Sequence, residues 1–119
     1  MSKGNFYETK ATEFLKLKGY KIIERNFKTR RGEIDIIAKD RSFICFIEVK
    51  ARSRDYFVSG KEAVGRQKQE KIKKAALSYA SGRLNDSFRF DVLEIIQGNQ
   101  WREYTLVKAA FDYTDNHIV

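Results

Sequence analysis

Between residues 4 and 18 the apolar positions follow helical spacing. Phe6, Tyr7, Ala11, Phe14, Leu15 and Leu17 fall on one broad face, and Gly19 supplies a C-terminal stop. The period then changes. Tyr20 to Phe27 reads as a strand, Lys28-Thr29-Arg30-Arg31-Gly32 as a basic turn, and Glu33 to Lys39 and Phe43 to Arg52 as two β-rich runs. The polar Asp40-Arg41-Ser42 between those runs predicts a hairpin, although no Asn-Gly or Asp-Gly pair marks its tip. Residues 53–60 read as a loop with Ser, Asp and Gly. From 61 to 81 helical spacing returns, with Val64, Ile72, Ala75, Ala76 and Tyr79 as the stripe and Gly82 closing it. Phe88 to Ile96 and Trp101 to Val107 predict two more strands around Gly98-Asn99, and the chain from 112 to 119 reads as a frayed tail. No repeat, linker or low-complexity segment intervenes. The expectation is one α/β domain over residues 1–119, in the order αβββαββ.

Charged residues interrupt the hairpin pattern. Side chains alternate faces along a strand, so Glu33 and Asp35 share a face with Ile37, and Phe46, Glu48 and Lys50 share one on the next strand. A hairpin symmetric about the Arg41–Ser42 bond sets Asp35 opposite Glu48 and Glu33 opposite Lys50. Two like charges then face each other at roughly 4.5–5.5 Å, which destabilises the pair unless something positive is present. A divalent cation removes that conflict, since magnesium is held by one or two carboxylates with waters and substrate oxygens. Lys50 would lie beside it, able to orient a water and neutralise a scissile phosphate. The plain alternative is a solvated face in which Glu-x-Lys is only an ion pair. Ile37 and Phe46 share that face and argue for partial cover, while Ile34, Ile36, Cys45, Ile47 and Val49 give the other face an apolar core.

Composition narrows the chemistry. The 119 residues include 24 Lys and Arg against 16 Asp and Glu, a formal net charge of +8, so a polyanionic partner is expected, nucleic acid first and an anionic surface second. One cysteine, Cys45, excludes a disulfide within the chain and a cysteine-based zinc cluster. One histidine, His117, excludes multi-histidine metal sites, so carboxylates must hold any metal, which favours magnesium or manganese. The longest apolar run, Phe43 to Ile47, is far below the ~20 residues of a spanning helix, and no secretory signal opens the chain. A cytoplasmic protein, with no membrane insertion, is expected. On the second helix Lys68 falls inside the apolar stripe with Gln67 on its flank; such a lysine either snorkels to water or reaches a site. Lys61, Arg66, Lys71, Lys73 and Lys74, with Lys28, Arg30, Arg31, Arg52 and Arg54, would form a positive rim for a phosphate backbone, or merely a solvated face.

These residues carry a resemblance. Asp35, Glu48 and Lys50 in a β-hairpin look like the Asp…Glu-x-Lys core of the PD-(D/E)XK nuclease superfamily. More closely, the chain resembles the bacterial YraN family of endonuclease-like proteins, related to archaeal Holliday-junction resolvases. The likeness runs from Glu8-x-x-Ala11, Phe14-Leu15, Gly19-Tyr20 and Arg25-Asn26 through Gly32-Glu33-Ile34-Asp35-Ile36-Ile37-Ala38 and Phe46-Ile47-Glu48-Val49-Lys50-x-Arg52. It continues in Glu62-Ala63-Val64, Lys68-Gln69, Ala75-Ala76, Arg89-Phe90-Asp91-Val92 and Ala110-Phe111. Tyr7 departs from it, standing where the family usually has glycine. The resemblance implies a restriction-endonuclease-like αβββαβ core, with a central mixed sheet flanked by helices. It implies that Asp35, Glu48 and the Val49 carbonyl bind magnesium, with manganese as a substitute, that Glu8 is an accessory ligand, and that Lys50 assists the attacking water. Gln67 and Lys68 then lie beside the site; from the basic rim, Arg31, Arg52, Arg66 and Lys71 are the expected contacts to the nucleic acid. Glu33 matches a motif residue whose role is equally a structural ion pair with Lys50.

The expected function is a magnesium-dependent endonuclease acting on DNA, with branched DNA among the candidate substrates, and as a homodimer where paired strands are cut symmetrically. The alternative is a non-catalytic nucleic-acid-binding module on a nuclease-like scaffold, because fold does not guarantee activity. An adaptor for an acidic protein or an anionic membrane surface ranks third.

Overall fold

Two apolar layers, one on each face of a single sheet, organise the chain. The computed structural model describes residues 3–54, 65–83 and 85–112. Helix α1 (Lys3–Leu17) leads into strands β1 (Lys21–Lys28), β2 (Glu33–Asp40) and β3 (Phe43–Ser53); helix α2 (Arg66–Ala80) then precedes β4 (Ser87–Gln97) and β5 (Arg102–Phe111). The five strands lie in sequence order, antiparallel except for the parallel pair β3–β4, so the sheet is mixed. Side chains at alternate positions of β3 separate the layers. Ile44 and Phe46 pack with Ile72, Ala75, Ala76 and Tyr79 of α2, while Cys45 and Ile47 pack with Ala11 and Leu15 of α1. The parallel β3–β4 pair needs a long crossover, and the segment containing α2 provides it.

The chain leaves α1 as its glycine predicts. Gly19 has φ 94°, its N–H donates to Lys16 O at 3.0 Å, and the Tyr20 N–H donates to Leu15 O at 2.9 Å. That double closure satisfies the last carbonyls and carries Tyr20 into the α1-side core beside Leu15. The hairpin is centred as expected: Ile36 pairs with Ile47, Ala38 with Cys45 and Asp40 with Phe43, turning at Arg41 (φ 57°).

Strict alternation fails at one place. Ile34, expected beside Ile36 on the α1 face, packs instead with Ile37 and α2. The cause lies on the neighbouring strand, where Asn26 adopts φ 55°, outside the strand region. Arg25 pairs with Ile36 and Phe27 with Ile34 on either side of it, so both strands change facing there without losing register. Asp35 sits at the step. Strand β5 also runs past its expected end at Val107, to Phe111. Ala109, at φ 52°, gives its N–H to Asp91 Oδ1 at 3.0 Å, and the shifted ladder brings Phe111 opposite Phe90. The expected start of the second helix (61–64), most of the loop (55–60) and the tail (113–119) lie outside the described residues; Asp112 is described and exposed.

Asp91 is wholly buried and fully supplied with donors. Arg89 Nε reaches its Oδ1 at 2.8 Å, Arg89 Nη2 reaches its Oδ2 at 2.8 Å, and the Tyr20 hydroxyl donates to Oδ2 at 3.0 Å. Arg89 also donates to Asp40 Oδ2 at 2.8 Å, tying the hairpin tip to β4. Arg89 and Lys108 together hold the Asp40 carboxyl below its ordinary range. Replacing Asp91 by alanine leaves Arg89 with the Asp40 carboxylate and takes the acceptor from the Ala109 N–H. The expected cost is about 3–5 kcal/mol, read as a fall in the urea midpoint with an unchanged slope.

Candidate active site

The other end of the hairpin gathers acids under an incomplete supply of donors. The β2–β3 ladder closes at Ile36 and Ile47, and two residues further along β3 the Val49 N–H donates to Asp35 Oδ2 at 2.8 Å. Asp35 is therefore held towards β3. The Glu48 side chain is 7% exposed, and its Oε2 lies 3.3 Å from Lys68 Nζ of α2 without hydrogen-bond geometry. Burial pushes the Glu48 carboxyl up to about 9; a hydrogen bond with Asp35 and that residue's charge push the same way, and Lys68 only partly opposes them. Burial tends to lower Lys68, but Glu48, Asp35 and Glu33 outweigh it and raise the ammonium above its usual value.

Glu8 approaches from α1. It is buried, and burial and the Asp35 charge raise its carboxyl while Arg25 and Asn26 pull it back. Arg25 Nε stands 3.6 Å from Glu8 Oε1, and both atoms are buried with no hydrogen-bond partner. Arg25 Nη2 is anchored on Thr9 Oγ1 at 3.2 Å. The same Asn26 that reverses the facing of β1 thus turns its amide towards Glu8. Gly32 brings the other wall close: a Cβ there would collide with the Lys71 carbonyl, so the basic turn after β1 lies against the backbone of α2. Arg31 and Lys71 are consequently exposed neighbours on the fold, one turn of helix from Lys68.

The expected residues are thus distributed unevenly. Asp35, Glu48, Lys68 and Glu8 interact; Lys50 is half-buried on β3, paired in register with Glu94 of β4. The stripe reading of Lys68 holds, since it lies one turn before buried Ile72 and faces Glu48. Gln67 and Arg66 are exposed at the start of α2. Arg52 is not an open rim cation: its side chain is 14% exposed and its Nη2 sits 3.0 Å from Glu94 Oε2. Lys73 likewise leaves the rim, being buried with Nζ 4.0 Å from Glu70 Oε1 and over the Phe111 ring. Arg25 and Asn26 entered only as part of the family likeness, with no role, and Glu94 not at all, because a left-handed asparagine and a cross-strand acid leave no periodic trace.

Among the described residues no three acidic, histidine or cysteine side chains already form a cage. The donor set nevertheless fits a hard dication. It consists of oxygen ligands, two of whose buried atoms, Glu48 Oε2 and Glu8 Oε1, accept no hydrogen bond.

Comparison with known proteins bears on the whole site. A model of the family described as "Uncharacterised protein family UPF0102" matches residues 7–95, a span that takes in every residue from Glu8 to Glu94. A UPF0102 protein of Clostridium botulinum (strain 657 / Type Ba4) is 46% identical over 113 residues, covering 91% of this chain and 92% of that protein. A UPF0102 protein of Acetivibrio thermocellus is 43% identical over 116 residues, covering 91% of this chain and 89% of that protein.

Glu48 sets a pH dependence with a definite sign. Its folded value, about 9, lies above its ordinary 4.5, so ionisation favours the unfolded chain and stability falls as pH rises between the two. Glu48→Gln removes that fall. Without divalent ions the variant should exceed the wild type by roughly 1–3 kcal/mol near neutral pH, with the gap widening towards alkaline pH. Urea midpoints across that range measure it, and parallel curves for the two proteins would contradict the assignment.

Proposed function

This chain belongs to the uncharacterised protein family UPF0102, the YraN family its motifs resemble, and we propose that it is a magnesium-dependent endonuclease-like hydrolase of nucleic-acid phosphodiesters. One observation carries the reading: a buried Glu48 carboxyl pressed against Asp35, with Lys68 in partial relief and Lys50 two residues along the same strand. The α/β arrangement, a mixed five-stranded sheet with a helix on each face, is compatible with the nuclease-like core that the motif implies. Asp35, Glu48 and the Val49 carbonyl would hold the ion, with Glu8 accessory to them. Magnesium, with manganese able to replace it, supplies Lewis-acid polarisation of a phosphoryl oxygen and a more acidic water when bound.

The chain's own groups do the rest. Lys50 would orient the attacking water and offset charge gathering on the phosphate. The water oxygen bonds to phosphorus as the bond to one sugar oxygen breaks, and the departing oxygen takes up a proton. Arg31, Lys71, Arg66, Gln67 and Lys68 offer hydrogen-bonding and positive groups beside the acids for a backbone. DNA is the proposed substrate class, and cutting both strands of a symmetric junction would require two copies.

A second reading has its own support. Asp35 Oδ2 already accepts the Val49 N–H and Glu48 already has Lys68, as befits a module that binds nucleic acid without cutting it. The two readings part in a cleavage screen over linear, flapped and four-way DNA with magnesium or manganese. The endonuclease reading expects products that fall by about two to three orders of magnitude in Asp35→Asn and Lys50→Ala. Equal product from the variants would expose a contaminant, and salt-dependent binding without cleavage would favour the binding module.

A further inference from the structure

Two loose ion pairs flank Asp35, one from each face of the sheet, and they share a design. Lys68 Nζ lies 3.3 Å from Glu48 Oε2, with the lysine side chain 44% exposed against 7% for its partner. Arg25 Nε lies 3.6 Å from Glu8 Oε1, with the side chains 35% and 12% exposed. In both, the acid is buried and fixed while the base reaches in from the surface on a long stem. Neither pair closes a hydrogen bond, and Glu48 Oε2, Glu8 Oε1 and Arg25 Nε remain buried without one. The contrast within the same molecule is direct: Arg89 meets Asp91 and Asp40 at 2.8 Å in closed geometry. These two acids are neutralised but not satisfied.

We propose that Arg25 and Lys68 are exchangeable counter-ions, which hold Glu8 and Glu48 in the ion-free protein and turn to the phosphates of the nucleic acid when a dication takes those acids over. The inference rests on the metal-site reading above and adds the coupling between ion and substrate. A dication among Glu8, Asp35 and Glu48 repels both basic heads at short range, where low dielectric strengthens the force. It also removes the carboxylate charge that held them. The Lys68 head then lies one turn of helix from exposed Lys71, and the Arg25 head, still bonded to Thr9 through Nη2, lies on the α1 side; at each a phosphate is the available anion. Ion binding thereby makes two backbone contacts available that the ion-free protein spends on itself. By linkage, nucleic acid must tighten ion binding by the same factor.

The salt dependence of DNA affinity reads these contacts one at a time, because each phosphate neutralised steepens the slope of log K against log salt by about 0.9. The measurement is fluorescence anisotropy on a labelled DNA duplex with and without calcium, a hard dication of the same oxygen preference. Calcium binding to the protein alone is followed separately by calorimetry. Calcium should steepen the wild-type slope. Lys68→Gln and Arg25→Gln should each reduce that calcium-dependent increment by about 0.9. Glu48→Gln should release Lys68 with no dication present and steepen the ion-free slope by a similar step. Calcium that binds without changing the slope overturns the exchange. So does an equal loss in Lys68→Gln with and without calcium, which would make Lys68 a standing contact. If calorimetry detects no calcium binding, the metal-site reading itself fails and takes the exchange with it. The Lys68 and Glu48 variants decide the matter even where Arg25→Gln unsettles the contact with Thr9.

Discussion

Burying one carboxyl against another, where β2 and β3 stop pairing, is the constraint around which the rest of the molecule is arranged. Glu48 faces the α2 side of β3, and Asp35 is turned towards the same strand through the Val49 N–H. Glu48 is buried and Asp35 half-buried, so water relieves the conflict only in part. Further relief comes from other elements. Lys68 arrives on α2, which Gly32 allows to approach the β1–β2 turn at backbone distance. Glu8 arrives on α1, restrained by Arg25 and by an Asn26 in a conformation that few residues adopt inside a strand.

The same sheet shows what a purely structural solution looks like. Asp40 and Asp91 are also buried acids, yet Arg89, Tyr20, Lys108 and the Ala109 N–H supply them with donors in closed geometry. That cluster fastens β4 to the hairpin tip and the start of β1, and its charges need nothing from outside. The cluster at the other end retains buried oxygens without donors, on Glu48 and on Glu8. One chain thus satisfies one acidic cluster and leaves another short. An undersupplied cluster costs stability, and a protein keeps such a cost where a ligand later removes it.

Much of this was legible in the residues. The hairpin register followed from a turn centred on Arg41 and Ser42, because one face had to bury Ile36, Ala38, Cys45 and Ile47 together. Lys68 was visible as a charge inside an apolar stripe. What could not be read was local backbone reversal: φ 55° at Asn26 and φ 52° at Ala109 are single-residue events that leave the composition of their strands unchanged. Ile34 therefore crossed to the other core, and β5 outran its pattern. Arg52 and Lys73 were counted with the rim because spacing distinguishes a face, whereas only tertiary contact shows that an acid such as Glu94 or Glu70 has already claimed a base.

The central claim is that Glu48 and Asp35 form a site waiting for a hard dication. Its most direct test is the protonation of the Glu48 side chain, followed by carboxyl-carbon NMR in the ion-free protein and again with magnesium. The account predicts a Glu48 that titrates near 9 alone and is ionised at neutral pH once magnesium is present. A Glu48 that titrates at the ordinary 4.5 and does not respond to magnesium would contradict it.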